Sequence, residues 1–281
     1  MIYNYINIIM CIYLIPQHGL CNRLSWVCGF YSYCRAISHK CPNKECICYI
    51  RWSPARACNG HFLEIFKAFK HSKFVNTDRE VPRGVKRYSG QHSVPNVYSK
   101  ILKVDIITPE VECEIFGLLR FNDEIRKISR EFIAKYFNKN NTIGLHVRRT
   151  DHVGLAKGKG NFTNDAYFFK VIEDEIKKDS GVVFFLSTDN RNTQEMFSNR
   201  YPQNVVVYKK IEKLENSFRH TTLFDTGIDM SLLTYCKRVE GSFHSSFSRI
   251  AVMLNLNRRR EIEKATEELN RYVFHNAPFS R

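Results

Sequence analysis

Apolar and polar positions along the chain fall into two successive series of strand-like and helix-like runs. The first opens with the apolar stretch 6–15 (INIIMCIYLI), which ends at Pro16. A bilayer span takes about 20 apolar residues, so this run is too short to cross a membrane. No basic segment precedes it and no small-residue cleavage site follows, so it reads as a buried parallel strand at a mature amino terminus. An aromatic-rich helix over 23–37 and a strand over 46–52 come next. A short helix is predicted over 61–69, with Phe62, Ile65, Phe66 and Phe69 on one face. Residues 72–99 hold Pro82, Pro95 and scattered charges and read as loops. Over 123–137, Ile125, Ile128, Phe132, Ile133 and Phe137 recur at helical spacing behind a cap at Asn122 or Asp123.

The second series begins at Thr142. Strands are predicted over 143–147, 182–187, 205–208 and 238–240, and helices over 165–178, 192–200, 228–235 and 245–254. A charged terminal helix covers 259–272. Two consecutive strand–helix series predict an α/β protein of two Rossmann-like, doubly wound domains, 1–140 and 141–258, with the segment 259–281 packing back across them. Such sheets bind ligands beyond the carboxyl ends of their strands, so chemistry is sought in the residues just after each one.

Composition narrows the classes. Hydrophobic residues make up 43% of the 281 and charged residues 25%, which excludes extended disorder, collagen and coiled coil. Lys and Arg number 43 against 28 acids, a formal charge of 43 − 28 = +15. That surplus suits nucleic acid, an anionic membrane or a phosphorylated small ligand, and equally a solvated lysine surface. No nucleic-acid motif accompanies it. Ten cysteines spread over the chain do not form a disulfide framework. Cys41, Cys46 and Cys48, preceded by Cys34, have C-x4-C-x-C spacing with no partner pair, which argues against zinc. Cysteines in apolar stretches and the lack of a leader or membrane span point to a reducing, cytoplasmic setting, or to a fragment of a longer secretory enzyme.

Five stretches carry candidate chemistry. His146-Val147-Arg148-Arg149-Thr150-Asp151-His152-Val153-Gly154 closes a predicted strand whose alternation sends His146 and Arg148 to one face. Two such cations at a cleft suit an anion, and Arg offers a rigid donor fork for phosphate. The plain alternative is a surface ion pair between Arg149 and Asp151. Gly241 to Ser248 (GSFHSSFS) lies between a strand and a helix, where hydroxyls and free N–H groups form an anion site; one serine would also serve as an ordinary cap. Gly19-Leu20-Cys21-Asn22-Arg23 follows the first strand as a phosphate loop or a simple turn. Ser187-Thr188-Asp189-Asn190 ends another strand and otherwise reads as a helix cap. Asp229 sits in an apolar helical pattern, where a carboxylate suits the N1–H and 2-amino group of guanine, or else is an exposed first-turn acid.

Together these stretches resemble the fucosyltransferase superfamily that includes the α-1,6-fucosyltransferases, protein O-fucosyltransferases and nodulation fucosyltransferases. HVRRTDHVG is similar to the arginine motif of the α-1,6 type, and the likeness continues through STDN at 187–190 and from Asp229 to FHSSFSRIA at 243–251. GLCNRL at 19–24 resembles the family's first loop; residues 40–120 carry no match. The resemblance implies a GT-B fold, two Rossmann-like domains facing a cleft, with GDP-fucose as donor substrate and neither metal nor cofactor. It implies that Arg148 binds the β-phosphate and that His146 and Asp229 hold guanosine. Ser245, Ser246 and Phe247 would line the phosphates and sugar, and Asn22 would approach the pyrophosphate from the other domain. The family's carboxylate after VG, its proposed general base, is absent here, where Gly154-Leu155-Ala156 stands, and its cation between Asp and Val is replaced by His152. An inverting displacement still needs a proton acceptor: His152 leads, with an unperturbed pKa of about 6.5, and Asp151 follows unless it orients Arg149.

The expected function is therefore inverting, metal-independent transfer of L-fucose from GDP-fucose to a glycan hydroxyl. Three alternatives stand beside it. They are a transferase using another GDP-6-deoxyhexose such as GDP-rhamnose, a catalytically silent sugar-nucleotide or glycan-binding protein, and a nucleic-acid binder suggested only by charge. No nucleic-acid partner and no stable membrane insertion are expected, and the sequence sets no oligomeric state.

Overall fold

The computed structural model describes residues 10–40, 46–90, 93–98, 107–138, 141–150, 154, 158, 162–210 and 221–276. Two four-stranded sheets, parallel throughout, organise it. The first lobe comprises β1 (Met10–Pro16), α1 (Leu20–Lys40), β2 (Cys46–Ile50), β3 (Ser72–Phe74) and β4 (Lys86–Gly90), in sheet order β3-β2-β1-β4. A one-turn helix α2 (Val94–Asn96) and then α3 (Pro109–Phe116) and α4 (Asp123–Tyr136) lead to the second sheet. That lobe holds β5 (Thr142–Val147), α5 (Asp165–Lys178), β6 (Val183–Thr188), α6 (Arg191–Arg200), β7 (Val205–Val206), α7 (Leu223–Thr234), β8 (Arg238–Gly241) and α8 (Ser246–Asn276). Its order, β7-β6-β5-β8, repeats that of the first sheet. In each, the chain crosses from the first strand to opposite sides of the sheet, so each has a switch point beside its first strand, β1 or β5.

Strand burial explains the pairing. β5 is buried at every position, as a central parallel strand covered on both faces must be. Ile143, Leu145 and Val147 join Phe168, Ile172 and Phe197 of α5 and α6 on one side. The other side turns to α7: a Cβ placed on Gly144 would lie 2.7 Å from Leu233 Cδ2, so the sheet and helix meet there because the side chain is missing. Helix ends follow side-chain caps: Asn122, Asn164, Asn190 and Thr222 each accept from a backbone N–H of the first turn of α4, α5, α6 and α7.

Several expectations change. The stretch 72–99 contains β3, β4 and α2; β4 (KRYSG) is a polar, largely exposed edge strand, which no hydrophobic alternation announces. Between 61 and 69 only Phe62–Glu64 forms a 3-10 turn, yet Phe62, Ile65, Phe66 and Phe69 are all buried as expected. The helices expected over 245–254 and 259–272 are one helix, α8. Asn255 does not break it, because its Nδ2 donates to the carbonyls of Leu233, Thr234 and Cys236 at the end of α7 (2.7–3.3 Å). α4, which precedes β5, packs through Ile125, Ile128, Phe132 and Ile133 against Phe185, Ile228 and Leu232 of the second lobe. In return Leu223, Met230, Ile250 and Leu254 enter the core of the first lobe.

Candidate active site

The two switch points face each other across a cleft enclosing about 1050 Å³, open solvent at its mouth included. The cavity itself measures about 260 Å³, just below the range of small-molecule sites, about 300–1,000 Å³. From the first lobe come the β1–α1 turn, with His18, Gly19 and Asn22, and the loop carrying Cys58 and Asn59. From the second come His146 and Arg148 at the end of β5, Ser187 to Asp189 at the end of β6, Asp229 of α7, and Ser246 and Phe247 at the start of α8.

Each side chain is placed by its element. Strand register sets Ser187, His146 and Gly241 side by side across three strands. Gly241 is needed there: a Cβ on it would stand 2.5 Å from Ser248 Cβ. The gap lets Ser248 Oγ sit 2.6 Å from His146 Nδ1, while the imidazole lies over Phe247 with ring centroids 4.5 Å apart. Ser242 Oγ donates to His146 O and accepts from Arg148 N (3.1 and 3.0 Å), tying the β8–α8 turn to the end of β5.

The neighbouring arginines separate. Arg149 turns into the protein, where its guanidinium donates to Asp165 Oδ1 (2.7 and 3.1 Å) and lies over Phe162 and Phe168. Among the described residues its ion-pair partner is Asp165 of α5; Asp151 lies outside them. Arg148 lines the cleft, with Nε 3.9 Å from Asp189 Oδ2. Asp189 also accepts from Arg149 N (2.8 Å) and the Thr150 hydroxyl (2.6 Å), fixing the turn that presents Arg148. Asn190 beside it supplies the plain cap expected of this stretch, accepting from Thr193 N.

Asp229 is buried in mid-helix rather than exposed in a first turn, because Thr222 starts α7 earlier than its hydrophobic pattern does. Its Oδ2 accepts from Ser187 Oγ (3.0 Å) and stands 2.9 Å from Lys210 Nζ, while Oδ1 has no hydrogen-bond partner among the described residues. Burial pushes its carboxyl above the ordinary 3.8, the Lys210 ammonium and Ser187 hydroxyl oppose that rise, and Asp225 adds to it. A buried oxygen left unpaired costs free energy unless a ligand donates to it.

Both turns that enter the cleft are left-handed at a histidine, His18 with φ 66° and His244 with φ 56°. Such residues are uncommon and concentrate at ligand-binding turns. Arg23 locks the first turn: its guanidinium donates to His18 O (2.7 Å) and Ser53 O (2.6 Å) and lies 5.3 Å from the Trp52 ring centroid. The helices that follow, α1 and α8, carry no acid in their first turns, where α3, α4 and α5 do. Their amino termini therefore keep the positive end of the helix dipole for an anion.

The cleft thus gathers Asn22, His146, Arg148, Asp229, Ser246 and Phe247 among the residues singled out by sequence. Ser245 is not part of it: Ser245 Oγ caps α8 by accepting from Ser248 N, and the side chain lines a separate hollow behind the turn. Asp151 and His152 lie outside the described residues. Lys210 was missed, although it follows β7, where the carboxyl-end rule directs attention. Among the described residues no group of three or more His, Cys, Asp or Glu converges as metal ligands would. Nor is any helix long and apolar enough to cross a membrane.

Comparison with solved structures identifies this architecture. The chain has the GT-B fold. The NodZ α-1,6-fucosyltransferase soaked with GDP-fucose superposes with a TM-score of 0.54 at 17% identity, over 86% of this chain and 92% of that one. The selenomethionine form of NodZ from Bradyrhizobium gives 0.52 at 16%, over 85% and 91%. POFUT1 in complex with GDP-fucose gives 0.57 at 10%, over 87% and 94%. No family model and no curated protein matches the sequence. A common fold carries the likeness, not overall identity.

Proposed function

We propose that the chain is an inverting glycosyltransferase that moves L-fucose from GDP-fucose to a glycan hydroxyl without a metal ion. The observation that carries this reading is the meeting of Arg148 and the unpartnered Asp229 Oδ1 in one cleft between the lobes, in the fold of enzymes solved with GDP-fucose.

The reaction follows from the charges. The acceptor oxygen attacks the anomeric carbon from the face opposite the pyrophosphate and loses its proton to a base. The bond from that carbon to the β-phosphate oxygen breaks, and GDP leaves with the electron pair. Negative charge grows on the leaving oxygen, so a guanidinium already aimed there lowers the barrier; one such donor is worth about 10²–10³ in rate. Arg148 takes this role, with the α1 and α8 amino termini sharing the pyrophosphate charge. Asn22 approaches the pyrophosphate from the first lobe and Ser246 and Phe247 line phosphate and sugar, while His146 and Asp229 hold guanosine. His152 is the proposed base, Asp151 the second choice.

Thermal-shift measurements against GDP-fucose, GDP-rhamnose, GDP-mannose and UDP-glucose test the donor. Ligand at 100 times its Kd adds about 2.7 kcal/mol of apparent stability. Stabilisation by GDP-fucose over the UDP-sugar supports the reading, preference for GDP-rhamnose moves it to another 6-deoxyhexose, and equal response to all four overturns it. The carboxylate missing at Ala156 favours a second reading, a silent sugar-nucleotide binder. GDP release above background in a single turnover with a glycan acceptor rules that out.

A further inference from the structure

Lys210 lies beyond the residues that resemblance or motif assigned to the site, four residues past the end of β7. Its side chain is 4% exposed and that of Asp229 6%. Its ammonium carries three protons, and the one partner recorded for it among the described residues is Asp229 Oδ2, at 2.9 Å. The carboxylate's Oδ1, in contrast, has none. The pair therefore presents, in order, spare N–H donors, a shared acceptor and an open acceptor, the acceptors on Asp229, which lines the cleft, and the donors on Lys210 beside it. Desolvating a lysine for a surface-type ion pair is costly, and an ion pair alone would not leave the second carboxylate oxygen unsatisfied.

We propose that Lys210 is a specificity-determining residue, donating to the 6-oxygen of a bound guanine while Asp229 accepts the adjacent N1–H and 2-amino groups. This rests on reading the chain as a GDP-sugar enzyme and adds a second half to the recognition of its base. Donor–acceptor–acceptor on the protein matches acceptor–donor–donor on guanine. Uracil presents acceptor–donor–acceptor, which sets its 2-oxygen against a carboxylate oxygen. Adenine presents an amino donor to the ammonium. Each mismatch leaves a buried polar group unpaired, the strongest basis for rejecting a ligand.

Calorimetric titration of the full chain with GDP, 6-thio-GDP, ADP and UDP tests the assignment, since sulfur at position 6 keeps the N1–H and 2-amino donors but is a poor acceptor. The wild type is expected to bind GDP about 10- to 100-fold more tightly than 6-thio-GDP, the range of a hydrogen bond to a charged group. Lys210→Met should bring the two within about twofold of each other, and Lys210→Arg, which keeps a donor, should retain most of the difference. A wild type that binds both alike, or a Lys210→Met variant that keeps the full ratio, overturns the role of Lys210 while preference for GDP over ADP and UDP leaves the donor reading standing. No preference for GDP in the wild type removes both. Should Lys210→Met fail to show a cooperative melt, the wild-type ratio and Lys210→Arg decide.

Discussion

Arg148 and Arg149 are chemically identical neighbours with different surroundings, and the difference predicts different mutant phenotypes. Arg149 spends its guanidinium on Asp165 and two phenyl rings, so Arg149→Met should lower the melting temperature. Arg148 has its side chain 15% exposed in the cleft, with Asp189 steadying its turn. Arg148→Ala should leave the melt unchanged and cut transfer by about 10²–10³ at least, the worth of one donor at a developing oxyanion. Measured turnover near wild type in that variant would remove Arg148 from the mechanism. At Asp229 the prediction concerns pH. Burial raises its carboxyl above 3.8, and guanine requires the ionised form. GDP affinity should therefore fall with decreasing pH before an ordinary carboxylate would protonate. Because the shift is upward, ionisation of this group opposes folding above its native pKa. That cost is relieved as pH falls through the native pKa towards 3.8. Titrating GDP and UDP across the acid range checks this: Asp229→Ala should weaken GDP far more than UDP and flatten the GDP profile.

Between strand and helix, legibility followed burial. β5 and β6 announced themselves as short apolar runs, α4 and α5 by helical periodicity behind a capping asparagine, and His146 and Arg148 at the end of β5 both line the cleft. Elements fixed by partners far along the chain were not legible. β4 is a charged edge strand that exists because β1 offers it a ladder, and α8 runs through Asn255 because that side chain caps the end of α7. Ser245 reads both as a phosphate ligand and as a cap, since both uses put a hydroxyl at a helix start, and here its Oγ accepts from Ser248 N. Lys210 carried no pattern beyond its place after a short strand. The β8–α8 junction yields a prediction of its own. Gly241→Ala would drive a methyl into Ser248, which holds the His146 ring. Overpacking of this kind typically costs about 1–3 kcal/mol. Because the serine can escape only by releasing His146, weakened GDP binding should accompany the lowered melt. A melt that falls while GDP affinity stays intact would show that this row of the sheet does not position the donor.

The lobes share their cores, and that sharing should make the molecule unfold as one. Met230 of α7 and Ile250 and Leu254 of α8 complete the core around Phe62 and Trp26, and Gly227 lets α7 approach Ile65 so closely that a Cβ there would fall 2.8 Å from its side chain. Buried Glu112 of α3 pairs with Arg249 of α8, and Cys113 Sγ donates to Met253 O (3.1 Å). A cleft whose two walls are fastened in this way presents its ligands at fixed separation, which is what oriented donors on both sides of a pyrophosphate require. The chain holds just two tryptophans, Trp26 and Trp52, both buried in the first lobe. Phe197 lies in the far cluster of the second lobe, among Phe168, Ile172 and Phe184, with neither tryptophan in that cluster. Phe197→Ala should cost about 3–5 kcal/mol. If the shared helices couple the lobes, the tryptophan fluorescence transition in urea must move to lower denaturant together with the far-ultraviolet circular dichroism. The two curves should coincide in wild type and variant alike. A fluorescence midpoint that stays in place while part of the dichroism is lost early would mean that α7 and α8 release the first lobe before it melts. The fixed separation of the cleft walls would then have to come from the bound nucleotide instead.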